Sequence, residues 1–249
     1  MADVLIISSK DNGWFRRFRE AIDHHDDEIV LEGPKQVSDA IGRGWRPIAV
    51  AVSADTVFSA DAPRLEFSQA LIRRLSETVT SQEVLGLFER PRHRKEDLFA
   101  DPSRPIVVLD RVQDSGNVGS IIRLCAAFKA AGIALTPGSA DPLGPKVIRA
   151  SAGTVLQVPV WMAEPSEIRS ALDERGYQLF AAIRSTGSRT ELPSERFAIA
   201  LGNEGRGVAE PLTHGAQPIS IPMSGDVESL NVASAAAILL AQSYQTRQA

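Results

Sequence analysis

From Pro105 onward the chain alternates short runs rich in Ile, Val and Leu with segments of helical spacing, and this alternation constrains the fold more than any other feature. In order come IVVLD, a helix, IALT, a short helix, TVLQVPV, a helix, YQLFAAI, a loop, FAIAL, a short helix, ISIPM and a last helix. Strands that are apolar on both faces and separated by helices specify an α/β fold with a mostly parallel sheet covered on both sides. A ligand is then expected at the carboxyl ends of the strands. The first hundred residues alternate on a smaller scale. VLIIS (4–8), IVLEGP (29–34), IAVAVS (48–53) and Val84 to Phe88 read as strands. Helices are expected over Trp14 to Ile22 and from Val37, and Arg64 to Leu75 gives a mixed signal. The chain therefore divides into a small α/β domain over residues 1–89, a charged, proline-punctuated linker over 90–104 and a larger domain over 105–249.

A net charge of −4 excludes a protein that coats nucleic acid indiscriminately, because such binding needs a dense basic surface. Basic character is local: Arg16, Arg17 and Arg19 near the start, and Arg90, Arg92, His93, Arg94 and Lys95 in the linker. Either group is a phosphate contact or a solvated run. The single cysteine, Cys125, excludes an intramolecular disulfide and a Cys-based metal cluster, and it reads as a small buried hydrophobe. His24 and His25 lack further ligands in sequence, so no metal site is expected. No run approaches the roughly 20 apolar residues of a membrane helix, and Met1-Ala-Asp-Val lacks the basic start of a signal peptide. A cytoplasmic location without membrane contact is expected.

Two of the apolar runs end in loops built for binding. FAIAL delivers Leu201, Gly202, Asn203 and Glu204; ISIPM delivers Ile221, Pro222 and Met223 and leads through Ser229, Leu230 and Asn231 into an alanine-rich helix. The segment RVQDSGNVGSIIRLCAAFKAAG (111–132) adds a third cluster. With Val118 set at zero on a helix, Ile121, Ile122, Cys125 and Lys129 share one side, and Arg123 lies about 140° away beside the small residues Gly116, Gly119, Ser120 and Ala127. A guanidinium over such a surface suits a bulky anion, with Asn117 adding an amide; the alternative is a surface arginine with a helix-capping Asn117.

Taken in order, D-S-G-N-V-G-S-I-I-R (114–123), L-G-N-E-G-R-G (201–207) and I-P-M-S-G-D-V-E-S-L-N-V-A (221–233) resemble the three signature motifs of the SpoU (TrmH-like) family of SPOUT-class RNA ribose 2′-O-methyltransferases. Ser115 departs from the proline usual in that family. ISSKDNGWFRRFREA (7–21) and VLEGPKQVSDAI (30–41) are similar to the ribosomal-protein-like RNA-binding domain that many members carry. The resemblance implies a deep trefoil knot in the larger domain, S-adenosylmethionine as cofactor and a homodimer formed through that domain, with the first-motif arginine reaching a shared site. It places Gly202, Ile221 and Leu230 on the cofactor, mostly through backbone groups, with Leu201, Asn203, Met223 and Ser229 lining the same cleft. Asn117, Arg123, Glu204, Ser229 and Asn231 become the candidate catalytic residues, and Arg16, Arg17, Arg19 and Arg123 the candidate RNA contacts.

A ribose 2′-hydroxyl is a poor nucleophile at neutral pH, so methyl transfer to it needs in-line positioning and help with a proton. A guanidinium has a pKa above about 12 and does not serve as the base; Arg123 is better suited to gripping phosphate and stabilising a developing alkoxide. Glu204 is either part of that machinery or a structural carboxylate in its glycine loop. Ribosomal RNA is favoured over tRNA as the substrate because of the extra first domain. Two readings of other classes compete. One is an NAD-binding oxidoreductase, against which stands the G-x-x-G-x-G spacing of GNEGRG in place of G-x-G-x-x-G. The other is a non-catalytic RNA-binding protein, which would be expected to lack Arg123 or Asn231.

Overall fold

The structure, a computed structural model, describes residues 5–24, 26–76, 82–183, 191–203, 205–224 and 229–248. The chain forms two compact units, Met1–Pro91 and Arg92–Ala249. In the first unit the elements are β1 (Leu5–Ile7), α1 (Gly13–Asp23), β2 (Glu28–Glu32), α2 (Pro34–Gly42), β3 (Pro47–Ser53), β4 (Arg64–Phe67), α3 (Gln69–Leu75) and β5 (Val84–Glu89). The mixed signal over 64–75 thus resolves into a strand followed by a helix. The sheet order is β1-β4-β3-β5-β2, with β5 antiparallel to both neighbours and the β1-β4-β3 pairings parallel.

Helix α1 starts where Asn12 accepts a hydrogen bond from the Trp14 amide at 2.8 Å, satisfying a donor that no helical carbonyl can reach. Phe15, Phe18 and Ile22 follow at helical spacing and bury against Leu71, Ile72 and Leu75 of α3 and Phe67 of β4. On α2, Val37 and Ala40 are buried. A methyl at Gly86 of β5 would meet Val37 at 3.0 Å, so the glycine is what lets α2 pack so closely.

The second unit contains β6 (Ile106–Asp110), α4 (Ser115–Ala127), β7 (Gly132–Leu135), α5 (Pro145–Ala150), β8 (Val160–Met162), α6 (Pro165–Glu174), β9 (Gln178–Ala182), β10 (Phe197–Gly202), α7 (Glu210–Thr213), β11 (Gln217–Ile219) and α8 (Val232–Thr246). All pairings in its sheet, β11-β9-β10-β6-β7-β8, are parallel. The five residues of β6 are all buried, as expected of a central strand covered on both faces. Ile106, Val108, Ala198 and Ala200 pack with Ile168 and Leu172 of α6 and Leu212 of α7. Helix α4 packs with α5 and α8.

Three expectations fail locally. TVLQVPV is not one strand: Gly153 takes a left-handed φ of 77°, Thr154 Oγ1 donates to the Ser151 carbonyl at 2.7 Å, and 154–157 closes as a 3-10 turn. The strand begins only at Val160, beyond Pro159, which has no N–H to give a ladder. ISIPM is likewise not a strand. Pairing covers Gln217–Ile219, and Ile221–Met223 continues beyond it unpaired. The segment expected as linker is partly folded: Lys95–Phe99 forms a 3-10 turn whose Leu98 is fully buried in the core of the second unit.

Candidate active site

Strand register pairs Gly202 at the end of β10 with Asp110 at the end of β6. On one side of β6 the sheet continues through β7 and β8, and on the other side of β10 lie β9 and β11. The crevice beyond such a reversal point is where parallel α/β sheets take ligands. Asp110, at 0 % exposure, was not among the expected site residues; its only signal in sequence is a carboxylate closing an otherwise apolar strand. Its Oδ1 accepts from Thr136 Oγ1 at 2.7 Å, and its Oδ2 accepts from the Ala209 amide at 2.7 Å and from the Arg111 guanidinium at 2.8 Å. A buried carboxylate is tolerated only with such partners.

Beyond Gly202, the described residues 203 and 205–209 fold back on one another. Asn203 and Gly207 pair as an isolated bridge, Asn203 Oδ1 accepts from the Gly205 amide at 2.9 Å, and Asn203 Nδ2 donates to the Arg111 carbonyl at 3.2 Å. A methyl on Gly202 would stand 2.2 Å from the Gly207 carbonyl carbon and 2.4 Å from the Val208 nitrogen. The constraint on Gly202 therefore comes from the protein's own backbone, a reason different from ligand approach. Glu204 lies outside the described residues.

Helix α4 is capped by Asp114, which accepts from the Asn117 amide at 2.7 Å, so Asn117 is not the cap. Asn117 Oδ1 instead accepts from Asn231 Nδ2 at 3.0 Å. Asn231 Oδ1 in turn caps α8, accepting from the Ala233 and Ser234 amides at 2.8 and 3.4 Å. Two residues 114 apart in sequence are thus tied at the starts of α4 and α8. Arg123 is exposed and, among the described residues, its side chain has no hydrogen-bond or ion-pair partner. It sits six residues along α4 and about 120° around it from Asn117, so it does not join the asparagine pair. Two details of the helical projection need correction. Gly119 is not bare surface: a methyl there would lie 2.4 Å from Ala150 Cβ of α5. Lys129 lies beyond the helix end, exposed and at φ 53°. Cys125 is fully buried, and desolvation pushes its thiol well above its ordinary range.

Leu201 is buried at the end of β10, and Gly202 and Asn203 are half-buried. Ile221 and Leu230 are half-buried, whereas Ser229 and Met223 are exposed, Met223 by 42 %. Among the described residues, the backbone groups of 221–224 make no hydrogen bond. Such a segment has its amides and carbonyls free for a ligand's polar edges.

In the first unit the three arginines of α1 are engaged locally. Arg17 forms a two-pronged pair with Glu28, which raises its pKa further, and lies over the Trp14 ring at 5.4 Å. Arg19 donates to the Arg74 carbonyl and sits 3.8 Å from Asp23; Arg16 donates to the Asp11 carbonyl at 2.5 Å. Arg16 and Arg19 also line an open hollow of about 320 Å³ with Lys10, Phe15, Glu20, Asp23 and His24. His25 lies outside the described residues. Among the described residues no three His, Cys, Asp or Glu side chains gather as metal ligands, and no helix is long and apolar enough to cross a membrane.

Known proteins match this architecture. The pattern of the SpoU rRNA Methylase family fits residues 104–241. The 23S rRNA (guanosine(2553)-2′-O)-methyltransferase RlmP of Bacillus subtilis is 31 % identical over 219 residues, which cover 85 % of this chain and 86 % of that protein. An AdoMet-bound rRNA methyltransferase from Sinorhizobium meliloti superposes with a TM-score of 0.86 at 27 % identity, over 98 % of both chains. A structure concerned with 2-OH methylation of C/U34 on tRNA matches 99 % of its own chain but 59 % of this one, with a TM-score of 0.51 and 25 % identity. With three ordered motifs gathered around the ends of β6, β10 and α8, and with the family pattern spanning more than half its length, the chain belongs to the SpoU rRNA methylase family.

Proposed function

We propose that this protein transfers a methyl group from S-adenosylmethionine to a ribose 2′-hydroxyl of ribosomal RNA. The observation that carries the reading is convergence. Asn117 of the first motif bonds to Asn231 of the third, Asn203 of the second bonds to the Arg111 carbonyl just beyond β6, and the third motif also carries the segment 221–224 with free backbone groups. A cofactor with an adenine edge and an amino-acid end fits donors and acceptors of this kind. Leu201, Gly202 and Asn203 would hold it from one side, Ile221, Met223, Ser229 and Leu230 from the other. S-adenosylmethionine supplies an electrophilic methyl group when bound.

The chain's own residues do the rest. Arg123, exposed and unpaired among the described residues, grips the phosphate beside the reacting ribose and stabilises negative charge developing on the 2′-oxygen. Asn117 and Asn231 fix the starts of α4 and α8 relative to each other. Because Arg123 points away from that pair, the reading includes a second copy of the chain that brings its own arginine to the site. The outward stripe of α8, with Ser234, Ile238 and Gln242 exposed, is the surface on which such a second copy would pack. The trefoil knot and a cytoplasmic location belong to the same reading.

Ribosomal RNA is favoured over tRNA by length. The rRNA methyltransferases match this chain over both units, whereas the tRNA example matches little beyond one. The first unit is then the RNA reader, through Arg16, Arg17 and Arg19. Mapping ribose methylation across total RNA from cells with and without the gene tests this. One ribosomal position should lose its methyl; a loss confined to tRNA, or no loss at all, would refute it.

A further inference from the structure

We infer that Asp110 is a positioning residue for the cofactor loop, holding residues 202–209 in the shape that the methyl donor meets. The inference rests on the cofactor reading above but concerns a residue outside the cofactor-contacting segments. Between the end of β10 at Gly202 and the start of α7 at Glu210, the described residues carry no strand or helix beyond the Asn203–Gly207 bridge. The loop's far end is held by the bond from the Ala209 amide to Asp110 Oδ2 at 2.7 Å. Its near end is held by Asn203 Nδ2 on the Arg111 carbonyl. That carbonyl is presented because Arg111 turns back with a left-handed φ of 55°, its amide donating to Thr136 Oγ1 at 3.0 Å and its guanidinium returning to Asp110. The guanidinium also reaches the Gly207 carbonyl, at 3.5 Å.

Among the described residues, the side-chain ties from the end of β6 to the loop thus start at Asp110 or at the turn its carboxylate closes. Thr136, at 1 % exposure at the end of β7, serves both residues: its hydroxyl donates to Asp110 and accepts from Arg111. The carboxylate is fully buried, so it binds no substrate itself; it acts through the loop.

Substitution should follow a definite order. Asp110→Asn keeps an oxygen toward the Ala209 amide and can turn its own amide to Thr136 Oγ1, so the loop survives. Asp110→Ala removes the acceptor, leaving the Ala209 N–H and the Thr136 hydroxyl without their partner. The test uses the full chain, hydrogen exchange of the loop amides, titration with S-adenosylhomocysteine, and methyl transfer to ribosomal RNA at saturating cofactor. In Asp110→Ala, exchange across 203–209 should speed up about tenfold or more while Ile199 and Leu201 stay protected, and cofactor affinity should fall about tenfold or more. The saturated turnover should stay within about threefold, and Asp110→Asn should lie close to the parent in all three readouts. Where Asp110→Ala does not fold, Thr136→Val, which removes the hydroxyl shared by Asp110 and Arg111, must speed exchange in the same segment. Unchanged exchange at 203–209, or a fall in saturated turnover with cofactor affinity intact, overturns the inference. A parent protein that binds no S-adenosylhomocysteine would overturn the cofactor reading instead, and the exchange measurement would still decide the role of Asp110.

Discussion

Three glycines of one loop should respond to a single methyl group in three different ways. On Gly202 the methyl would lie 2.2 to 2.4 Å from the Gly207 carbonyl group and the Val208 nitrogen, where ordinary contact needs about 3.5 Å or more. Backbone at 207–208 must then move by roughly 1 Å, more than a hydrogen bond of 2.7–3.2 Å tolerates. The bonds at risk flank that segment: Asn203 to Arg111 and Ala209 to Asp110. Overpacking costs about 1–3 kcal/mol and each lost hydrogen bond about 1 kcal/mol, so Gly202→Ala should destabilise by about 2–5 kcal/mol. At about 2–4 °C per kcal/mol for a domain of this size, melting should fall by about 4–20 °C. Among the described residues, Gly205→Ala meets only Asn203 Oδ1 at 3.5 Å and should be neutral. Gly207→Ala meets no atom of the described residues within 4 Å but holds φ at 66°, so it should cost about 1–2 kcal/mol of backbone strain. Thermal unfolding and S-adenosylhomocysteine titration of the three variants form the assay. Gly202→Ala should also weaken binding by about tenfold or more, and a Gly202→Ala protein as stable and as well bound as Gly205→Ala would refute the reasoning.

Arg123→Ala should nearly abolish methyl transfer and leave cofactor affinity within a few-fold; Arg123→Lys should also be poor, since an ammonium cannot form a two-pronged grip on phosphate, and a lysine variant of normal turnover would argue for simple charge neutralisation. Losing Arg16, Arg17 and Arg19 together should weaken RNA binding and lower its salt slope by up to about one unit per arginine that reaches a phosphate, with cofactor affinity unchanged; because Arg17 is already paired with Glu28, its share should be the smallest. Desolvation lowers the pKa of His93 below its ordinary value, outweighing the pull of Asp97 in the other direction. The unfolded chain therefore binds that proton more readily, the contribution of neutral His93 is present above about pH 6.5 and is lost as pH falls below it, and His93→Gln should flatten that part of a stability-versus-pH curve. Cys125 should resist thiol reagents in the native protein and react only on unfolding, which a labelling time course checks.

Much of the second unit was legible because its strands are apolar on both faces: IVVLD and FAIAL are long enough, and bounded clearly enough, to leave no alternative. ISIPM and TVLQVPV read as strands on the same evidence, but each contains a proline, and an apolar run with a missing donor ends or displaces the ladder. The motif residues were found as a set, yet periodicity could not show how they divide. Asn117 and Asn231 bond to each other because two helix starts converge, a contact 114 residues long that no local pattern encodes. Gly119 looked like open surface because the projection knows nothing of Ala150 across the next helix. Asp110 was missed for the opposite reason: a lone acid at a strand end looks like the beginning of a loop until Thr136, Arg111 and Ala209 are seen to surround it.

The central claim is that the methyl group goes to a ribose oxygen, and the direct measurement is transfer from S-adenosylmethionine carrying a labelled methyl to purified ribosomal RNA and, separately, to tRNA, followed by digestion to nucleosides and mass analysis. The account predicts one 2′-O-methylated nucleoside, formed from ribosomal RNA by the parent protein and absent with Arg123→Ala. Label on a base, label in tRNA alone, or equal transfer by the Arg123→Ala protein would contradict it.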